Sequence, residues 1–150
     1  GAEERATQIV ADMAARIAEV ESKVAQTERR PRVFFQIGIS PIVSAGSDTF
    51  IHELIVKAGG VNIAGEYTSY PRFSKEEVLE LAPYVMIITS MARKEVFDRV
   101  KAEWEQWDQI PAVANNRVHL VDSNLFDRPT PRLVDALEKL VALIHPELEI

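Results

Sequence analysis

The first part of the chain repeats apolar residues with the period of an α-helix. Residues 2–26 contain no glycine or proline, and apolar side chains recur at steps of three and four, at Ala6, Ile9, Met13, Ile17, Val20 and Val24. This spacing predicts one long amphipathic helix, which at ~1.5 Å per residue would be roughly 40 Å long. A helix of that length exceeds what the sheet of a 150-residue domain needs as cover. We therefore expect something to be missing on its N-terminal side.

After residue 31 the pattern changes to buried strands that alternate with helices. Apolar runs predict strands at residues 32–39, 61–64, 84–90 and 117–122. Helical patterns lie between and after them, at about residues 49–58, 74–81, 92–107 and 131–144. Such alternation gives a mainly parallel sheet with helices on both sides. The sequence predicts an α/β fold, a three-layer sandwich of four to five strands, with residues 1–30 as the long helix and residues 31–150 as the α/β lobe.

Signals for helix ends support this division. Ser47 or Asp48 is predicted to cap the start of the second helix, and Gly59 is placed for the turn at its end. In the segment SKEE, Ser74 and Glu77 predict a capping box, in which each side chain accepts a hydrogen bond from the backbone amide of the other. The third helix is therefore predicted to begin just after Ser74.

Composition limits the classes of partner. A hydrophobic content of 47% over 150 residues is enough for one domain with a core. The net charge of -6 argues against nucleic acid as a partner. No apolar run approaches the roughly 20 residues that span a bilayer, so the chain is not predicted to be membrane-spanning. The sequence has no cysteine, which excludes disulfides, thiolate metal sites and cysteine nucleophiles.

Polar and aromatic residues gather in the loops that leave the predicted strands. In a parallel sheet, ligands bind at the carboxyl ends of the strands, where the loops are predicted at residues 40–48, 65–73, 90–91 and 123–130. Tyr67 and Tyr70 lie in the second of these loops and could stack on a flat or apolar ligand. Asn124, Asp127 and Arg128 lie in the last one, where the guanidinium of Arg128 could bind a ligand oxygen. The alternative for these residues is packing and loop closure.

The residues that bear reactive groups do not combine into a catalytic or metal site. His52 and Glu53 begin like a zinc-protease helix, but Val56 stands where the second imidazole ligand belongs. The sequence also lacks the glycine motifs of phosphate loops and the nucleophile elbow of hydrolases. No catalytic residue, metal or cofactor is therefore predicted. Structural or solvated roles are predicted for His52, His119 and His145, and positions in the core or at its edge for Trp104 and Trp107.

Two other classes of function stay open at this point. One is a small α/β hydrolytic enzyme with an acid–base pair from Asp122, Asp127 and His119, which would need two of these side chains facing one pocket. If His119 lies on a covered face of the sheet, away from the strand ends, this alternative loses its best residue. The other is an interaction module that dimerises through the first helix, which size-exclusion chromatography would reveal.

Four segments carry a resemblance to a known family. They are VFFQIGISPIVSAGSDTFIHELIVKAGGVNIAG, YPRFSKEEVLELAPYVMIIT, WDQIPAVANNRVHLVD and FDRPTPRLVDALEKLVALIHPE, which begin in the first strand and are spread over residues 33–147, about four-fifths of the chain. From residue 32 onward the chain resembles the C-terminal lobe of the helical-backbone (class III) periplasmic substrate-binding proteins of ABC importers, which capture cobalamin, haem, ferric siderophores and some metals. The likeness to the cobalamin-binding receptors is strongest. The first helix resembles the connector between the two lobes.

The resemblance implies roles for individual residues. Tyr70 stands where cobalamin receptors place an aromatic side chain against the ligand, and Asn124 and Arg128 match contact positions in the loop after the last strand. Residues 40–47, with Ser44 among them, match another loop of the cleft. Glu76 matches the acidic residue that docks on the membrane permease. The resemblance thus implies a non-enzymatic receptor for cobalamin, with a haem or ferric-siderophore receptor as the alternative.

The chain departs from this family in one large respect, because the N-terminal lobe is absent. In the family the ligand lies between two lobes, so this chain would supply one wall of the site, and we expect it to be a fragment that binds its ligand weakly alone. The resemblance also implies a periplasmic or extracellular location, with a lipid anchor on the missing N-terminal region as one form.

Overall fold

A computed structural model describes residues 2–37, 42–90, 94–122 and 132–148 of the chain. The helices are α1 (Ala2–Ala25), α2 (Phe50–Lys57), α3 (Lys75–Leu81), α4 (Lys94–Glu105), α5 (Pro111–Ala114) and α6 (Arg132–Ile144), with a short 3-10 helix at Ile63–Glu66. The strands are β1 (Arg32–Gln36), β2 (Ile42–Val43), β3 (Val61–Asn62), β4 (Arg72–Phe73), β5 (Val85–Ser90) and β6 (Val118–Asp122).

Four parallel strands form the central sheet, in the order β3-β1-β5-β6. Phe34 of β1 pairs with Met86 of β5, and Met86 in turn pairs with Val118 of β6. Because all four strands run the same way, their carboxyl ends lie at one edge of the sheet. The predicted α/β architecture with a parallel sheet and a long first helix is confirmed.

Each face of the sheet is covered by its own group of helices, which makes the three layers. Alternate residues of a strand point to opposite faces, so Phe35 and Ile87 pack with α1, α2 and α6. Phe34 and Ile88 pack on the other face with α3, α4 and α5. Trp104 is buried in this second core and donates a hydrogen bond from Nε1 to the side chain of Gln36 at 2.9 Å. The core position that the sequence predicted for Trp104 is confirmed, and Trp107 packs at its edge.

Among the described residues, the side chains of the long helix α1 that are buried against the lobe lie in its C-terminal half. Val20 and Val24 are buried, whereas Ile9 and Val10 are exposed. The guanidinium of Arg16 forms ion pairs with Asp135 and Glu138 of α6. These carboxylates raise the pKa of Arg16, which keeps the charge in place. None of the described helices combines the length and the apolarity that crossing a bilayer requires.

Several element boundaries differ from those predicted. β1 ends at Gln36 rather than residue 39, with residues 38 and 39 outside the described part, and the strand predicted at 61–64 is cut short by the 3-10 helix. The cap of α2 is Thr49, whose Oγ1 accepts from the amide of His52 at 3.2 Å, so the prediction of Ser47 or Asp48 is wrong. Helix α5 and the strands β2 and β4 were not predicted.

Candidate functional site

The loops at the carboxyl edge of the sheet are not separate. Residues 42–49, which follow β1, and residues 63–73, which follow β3, lie side by side and are called the rim here. Strands β2 and β4 pair antiparallel within it. The pairing continues beyond the strands through backbone hydrogen bonds of 2.7 to 3.0 Å, from the amides of Ser44, Gly46 and Ser47 to the carbonyls of Pro71, Ser69 and Tyr67. The rim is therefore one continuous backbone ladder.

Two residues allow the ladder to close. A Cβ on Gly46 would lie 2.6 Å from the carbonyl oxygen of Tyr67, so only glycine fits there without a backbone shift. Ser69 has a left-handed backbone with φ of 59°, which most residues avoid. The carboxylate of Asp48 accepts a hydrogen bond from the amide of Ser69 and holds this turn across the rim. The backbone on both sides of Tyr70 is thus held by the opposite segment, at Ser69 by the carboxylate of Asp48 and at Pro71 by the amide of Ser44.

The two tyrosines of the rim present their rings to solvent. Tyr67 is 47% exposed and Tyr70 is 56% exposed. The ring of Tyr67 also meets Phe73 edge-on, with centroids 5.6 Å apart, and Phe73 meets Phe34 of the core in the same way at 5.5 Å. Tyr67 is therefore supported from below while part of its ring faces outward. Neither ring is turned into the lobe, which the ligand-binding prediction for these residues requires.

Of the other predicted ligand contacts, Ser44 lies within the described residues and Asn124 and Arg128 do not. Ser44 is fully buried, and its Oγ has no hydrogen-bond partner within the described residues. A buried hydroxyl cannot touch a ligand at the surface in this arrangement, so the position disfavours the predicted contact. Asn124 and Arg128, and with them Asp127, lie outside the described residues. Their roles stay predictions.

Glu76 lies on the exposed side of the first turn of α3. The predicted capping box next to it is confirmed: Ser74 and Glu77 exchange hydrogen bonds between side chain and backbone, each of 3.1 Å. Glu77 is thereby occupied, whereas Glu76 has no hydrogen bond or ion pair with any described residue. A carboxylate in this position can meet a basic partner.

The three histidines belong to the scaffold. His145 is buried, with Nε2 2.9 Å from the carbonyl of Gly59. His52 lies 3.0 Å from the side-chain amide of Asn62. His119 is half-buried near the start of β6, and burial, followed by the charge of Arg117, lowers its pKa. Structural roles explain the contacts of His145 and His52, whereas Nε2 of His119 is buried without a hydrogen-bond partner among the described residues.

An acid–base pair around His119 finds little support. His119 lies two residues before Val121, so both side chains point to the same face of the sheet, the face that α1, α2 and α6 cover. His119 is also the second residue of β6 and is not at the carboxyl end of the strand. Of its two predicted partners, Asp127 lies outside the described residues. Within the described part of the chain, no three histidine, aspartate or glutamate side chains come together in a way that could hold a metal ion.

Sequence reasoning missed Asn62 and Asp48, which hold the rim together. Asn62 is buried behind it and hydrogen-bonds to Ala45 and Ala64. The only sequence signal for Asn62 is an amide residue at the end of a strand, where Asn commonly begins a turn. Asp48 has no such signal, because its partner Ser69 is 21 residues away.

The known proteins to which this chain is similar are described as binding proteins. A family model described as periplasmic binding protein matches residues 1–125. YvrC of Bacillus subtilis, an uncharacterized ABC transporter substrate-binding lipoprotein, is 27% identical over an alignment of 150 residues that covers 98% of this chain and 46% of that protein. The vitamin B12-binding protein of Vibrio parahaemolyticus is 30% identical over 113 residues, 74% of this chain and 39% of that protein.

A solved structure extends the likeness to the fold. The ABC transporter substrate-binding protein of Listeria monocytogenes superposes with a TM-score of 0.82 at 25% identity, over 95% of this chain and 58% of that one. The chain thus spans less than half the length of the two curated relatives. These relatives are solute-binding proteins and not enzymes.

Proposed function

The chain belongs to the periplasmic binding protein family, and from this premise we propose that it forms one wall of a receptor that delivers a bulky chelate to an ABC permease. The observation that carries the proposal is the pair of exposed tyrosine rings on the rim, at the edge where parallel sheets bind ligands. Aromatic rings offer a large contact area at a small cost in conformational entropy. Cobalamin is the favoured ligand.

Titration of the chain with cyanocobalamin, followed by chemical shifts, tests this site. We expect Tyr70→Ala to weaken binding about tenfold, because stacking on the ring is lost. Val61→Ala is the matched control, since Val61 is 46% exposed at the amino end of β3, away from the rim. Equal affinities for the two variants, or no shifts in the rim at millimolar cobalamin, would refute the proposed site.

A haem or ferric siderophore is the second candidate ligand, and the exposed phenols of Tyr67 and Tyr70 favour it. Tyrosine oxygen is a known ligand of haem iron. Changing both Tyr67 and Tyr70 to Phe separates the candidates, because it keeps both rings and removes both phenol oxygens. Cobalamin binding should survive this change, whereas an iron–phenolate absorption band with hemin should disappear.

We further propose that Glu76 docks on a basic site of the permease, from a protein located in the periplasm or held at the membrane by a lipid anchor. Charge complementarity acts mainly on encounter and register. Glu76→Lys in the whole receptor should therefore lower ligand uptake by cells and leave ligand affinity unchanged. Glu80→Lys, which reverses an exposed charge one turn further along α3, is the control. Equal uptake by both variants would argue against docking through Glu76.

A further inference from the structure

Arginines gather at the amino edge of the sheet, where the strands begin, opposite the rim. Arg32 is the first residue of β1, Tyr84 stands directly before β5, and Arg117 stands directly before β6. The amide of Tyr84 donates to the carbonyl of Arg32 at 2.9 Å, and the amide of Met86 donates to the carbonyl of Arg117 at 3.0 Å. Because β5 lies between β1 and β6, these hydrogen bonds hold the starts of the three strands side by side.

Two arginines stack on the ring of Tyr84. The central guanidinium carbon of Arg29 lies 5.8 Å from the ring centroid, and that of Arg117 lies 5.5 Å from it. A guanidinium that stacks on a ring uses its flat face, so the N–H donors along its edge stay available to other partners. The ring of Tyr84 therefore holds two positive charges close together without neutralising either.

A shallow depression opens beside this ring. It has a volume of about 330 Å³ and is lined by Arg29, Arg30, Pro31, Arg32, Ala82 and Tyr84. The three arginines of this lining are exposed, so their guanidiniums can contact a group that enters the depression. Together with Arg117 they are called the arginine cluster here. Positive charge is thus concentrated at one place in a chain whose net charge is -6.

The chain itself supplies few acceptors for this cluster. Arg30 donates from Nη1 to the carbonyls of Thr27 and Arg29, each at 2.8 Å, as basic side chains commonly do just after a helix. In the part of the chain that the structure describes, the guanidiniums of Arg29, Arg32 and Arg117 form no hydrogen bond and no ion pair. Nη1 of Arg117 is buried in this state, which is unfavourable for a donor. A nearby negative charge would offset that cost.

Two carboxylates belong to the same region but do not neutralise it. Glu28 precedes Arg29 in the chain, and the charge of Arg29 acts on Glu147. The carboxylate of Glu147 is engaged elsewhere, since its Oε1 lies 2.9 Å from Nδ1 of His145. Among the described residues, neither glutamate forms an ion pair with an arginine of the cluster.

We propose that the arginine cluster binds a phosphate group, carried by free phosphate or by the headgroup of a lipid. The forked guanidinium matches the oxygens of a phosphate with two parallel hydrogen bonds. A carboxylate has two oxygens and one charge, which a single guanidinium satisfies, whereas a phosphate has more oxygens and up to two charges. Several converging arginines therefore favour phosphate. Arg29, Arg30 and Arg32 donate to its oxygens, and Arg117 adds positive charge from the ring of Tyr84.

This site is independent of the proposed function. It lies at the edge of the sheet opposite the rim, so it can be filled whether or not a ligand contacts the tyrosines there. Nuclear magnetic resonance titration of the chain with inorganic phosphate tests it, with sodium chloride at equal ionic strength as the reference. The side-chain N–H signals of Arg29 and Arg32 should shift and saturate with phosphate, and should not do so with chloride.

Exchange of single arginines identifies the donors. Arg29→Gln and Arg32→Gln should each weaken phosphate binding about tenfold, because a charged hydrogen-bond donor is lost. Both residues are exposed, so the variants should fold. Arg5→Gln is the matched control, since it removes the same charge from an exposed arginine roughly 30 Å further along α1, far beyond the range of screened charge. It should leave the affinity unchanged.

A second substitution separates a shaped site from a diffuse positive field. Arg32→Lys keeps the charge and removes the fork, so it should also weaken binding severalfold. Arg117→Gln should have a smaller effect, because this residue acts through its charge alone; if it does not fold, the exposed variants decide. Parent affinity in Arg32→Lys, or an equal loss in Arg5→Gln and Arg32→Gln, would overturn the proposed site.

Flotation with vesicles distinguishes the two sources of the phosphate. Phosphatidylglycerol presents an anionic phosphate, whereas the phosphate of phosphatidylcholine is paired with a cation in the same headgroup. Binding to vesicles that contain phosphatidylglycerol but not to phosphatidylcholine alone, lost when Arg29→Gln and Arg32→Gln are combined and kept in Arg5→Gln, would support the site with a lipid as its ligand. Saturable shifts with inorganic phosphate and no flotation would support it with free phosphate. Neither saturable shifts nor flotation would overturn the proposal.

Discussion

At Gly46 the two segments of the rim approach too closely to leave room for a side chain. The first atoms that a Cβ would meet are the carbonyl oxygen of Tyr67 at 2.6 Å and the carbonyl carbon of Thr68 at 2.8 Å. Backbone atoms in a hydrogen-bonded ladder cannot move aside singly. We expect Gly46→Ala to lower the free energy of unfolding by roughly 1 to 3 kcal/mol, as measured by urea unfolding.

Gly65→Ala provides the comparison for this effect. The nearest atom to a Cβ at Gly65 is Cε1 of the His52 side chain at 3.1 Å, and a side chain can shift by a few tenths of an ångström. The loss should therefore be smaller than at Gly46. If both variants lose the same stability, the backbone approach at Gly46 is not what restricts that position.

His119 gives a second prediction at the scale of one residue. Burial lowers its pKa, so the unfolded chain takes up a proton there at a higher pH than the folded protein does. The contribution of neutral His119 to the unfolding free energy is fully present above the ordinary histidine pKa of about 6.5. It is lost as the pH falls from there toward the lowered pKa. His119→Gln should reduce the difference in unfolding free energy between about pH 7.5 and 5.5. Identical pH dependence in the two proteins would contradict this assignment.

At the scale of elements, the start of α3 carries its own stabilisation. The hydroxyl of Ser74 accepts a hydrogen bond from the backbone amide of Glu77, and the carboxylate of Glu77 accepts one from the backbone amide of Ser74. Ser74→Ala should cost about 1 kcal/mol of unfolding free energy. Glu80→Ala, an exposed change on the same helix, should stay within about 0.5 kcal/mol of the parent. A Ser74→Ala variant as stable as Glu80→Ala would show that the capping box contributes nothing.

The elements that the sequence predicted are those with local signals. The period of α1, the apolar run of β5 and the cap at Ser74 each depend on neighbours within one or two turns. Strands β2 and β4 contain two residues each and exist only because distant segments pair. The cap of α2 has the same origin, since Asp48 is engaged by Ser69 across the rim and Thr49 takes over the helix start.

The sequence predicted where the candidate site lies, but not how the two segments of the rim join to form it. The rule for parallel sheets put Tyr67 and Tyr70 at the carboxyl edge, where both rings are exposed. Nothing local shows that Ser44 turns inward, because its burial follows from the pairing of its amide with Pro71. The part played by Asn62 likewise depends on Ala45, 17 residues earlier in the chain.

At the scale of the whole molecule, the described residues close the lobe on its sheet faces and leave apolar and aromatic side chains exposed elsewhere. Helices cover both faces of the sheet with buried apolar side chains. The N-terminal half of α1 exposes Ile9 and Val10, and the rim exposes its tyrosines. The connector role of α1, which the resemblance implies, requires such an uncovered half, and it stays a prediction.

The same openness governs the affinity of the chain for a ligand. If the rim is one of two walls, about half of the contact area is supplied elsewhere, while the entropic cost of holding the ligand is nearly unchanged. We expect isothermal titration with cyanocobalamin to give a dissociation constant well above 1 μM, on the order of 100 μM or weaker. Combining Tyr67→Ala with Tyr70→Ala should abolish the measurable heat of binding. This result would show that the affinity of the chain comes from the rim. Submicromolar affinity of the chain alone would mean that the rim is a complete site, and the two-wall receptor would have to be abandoned.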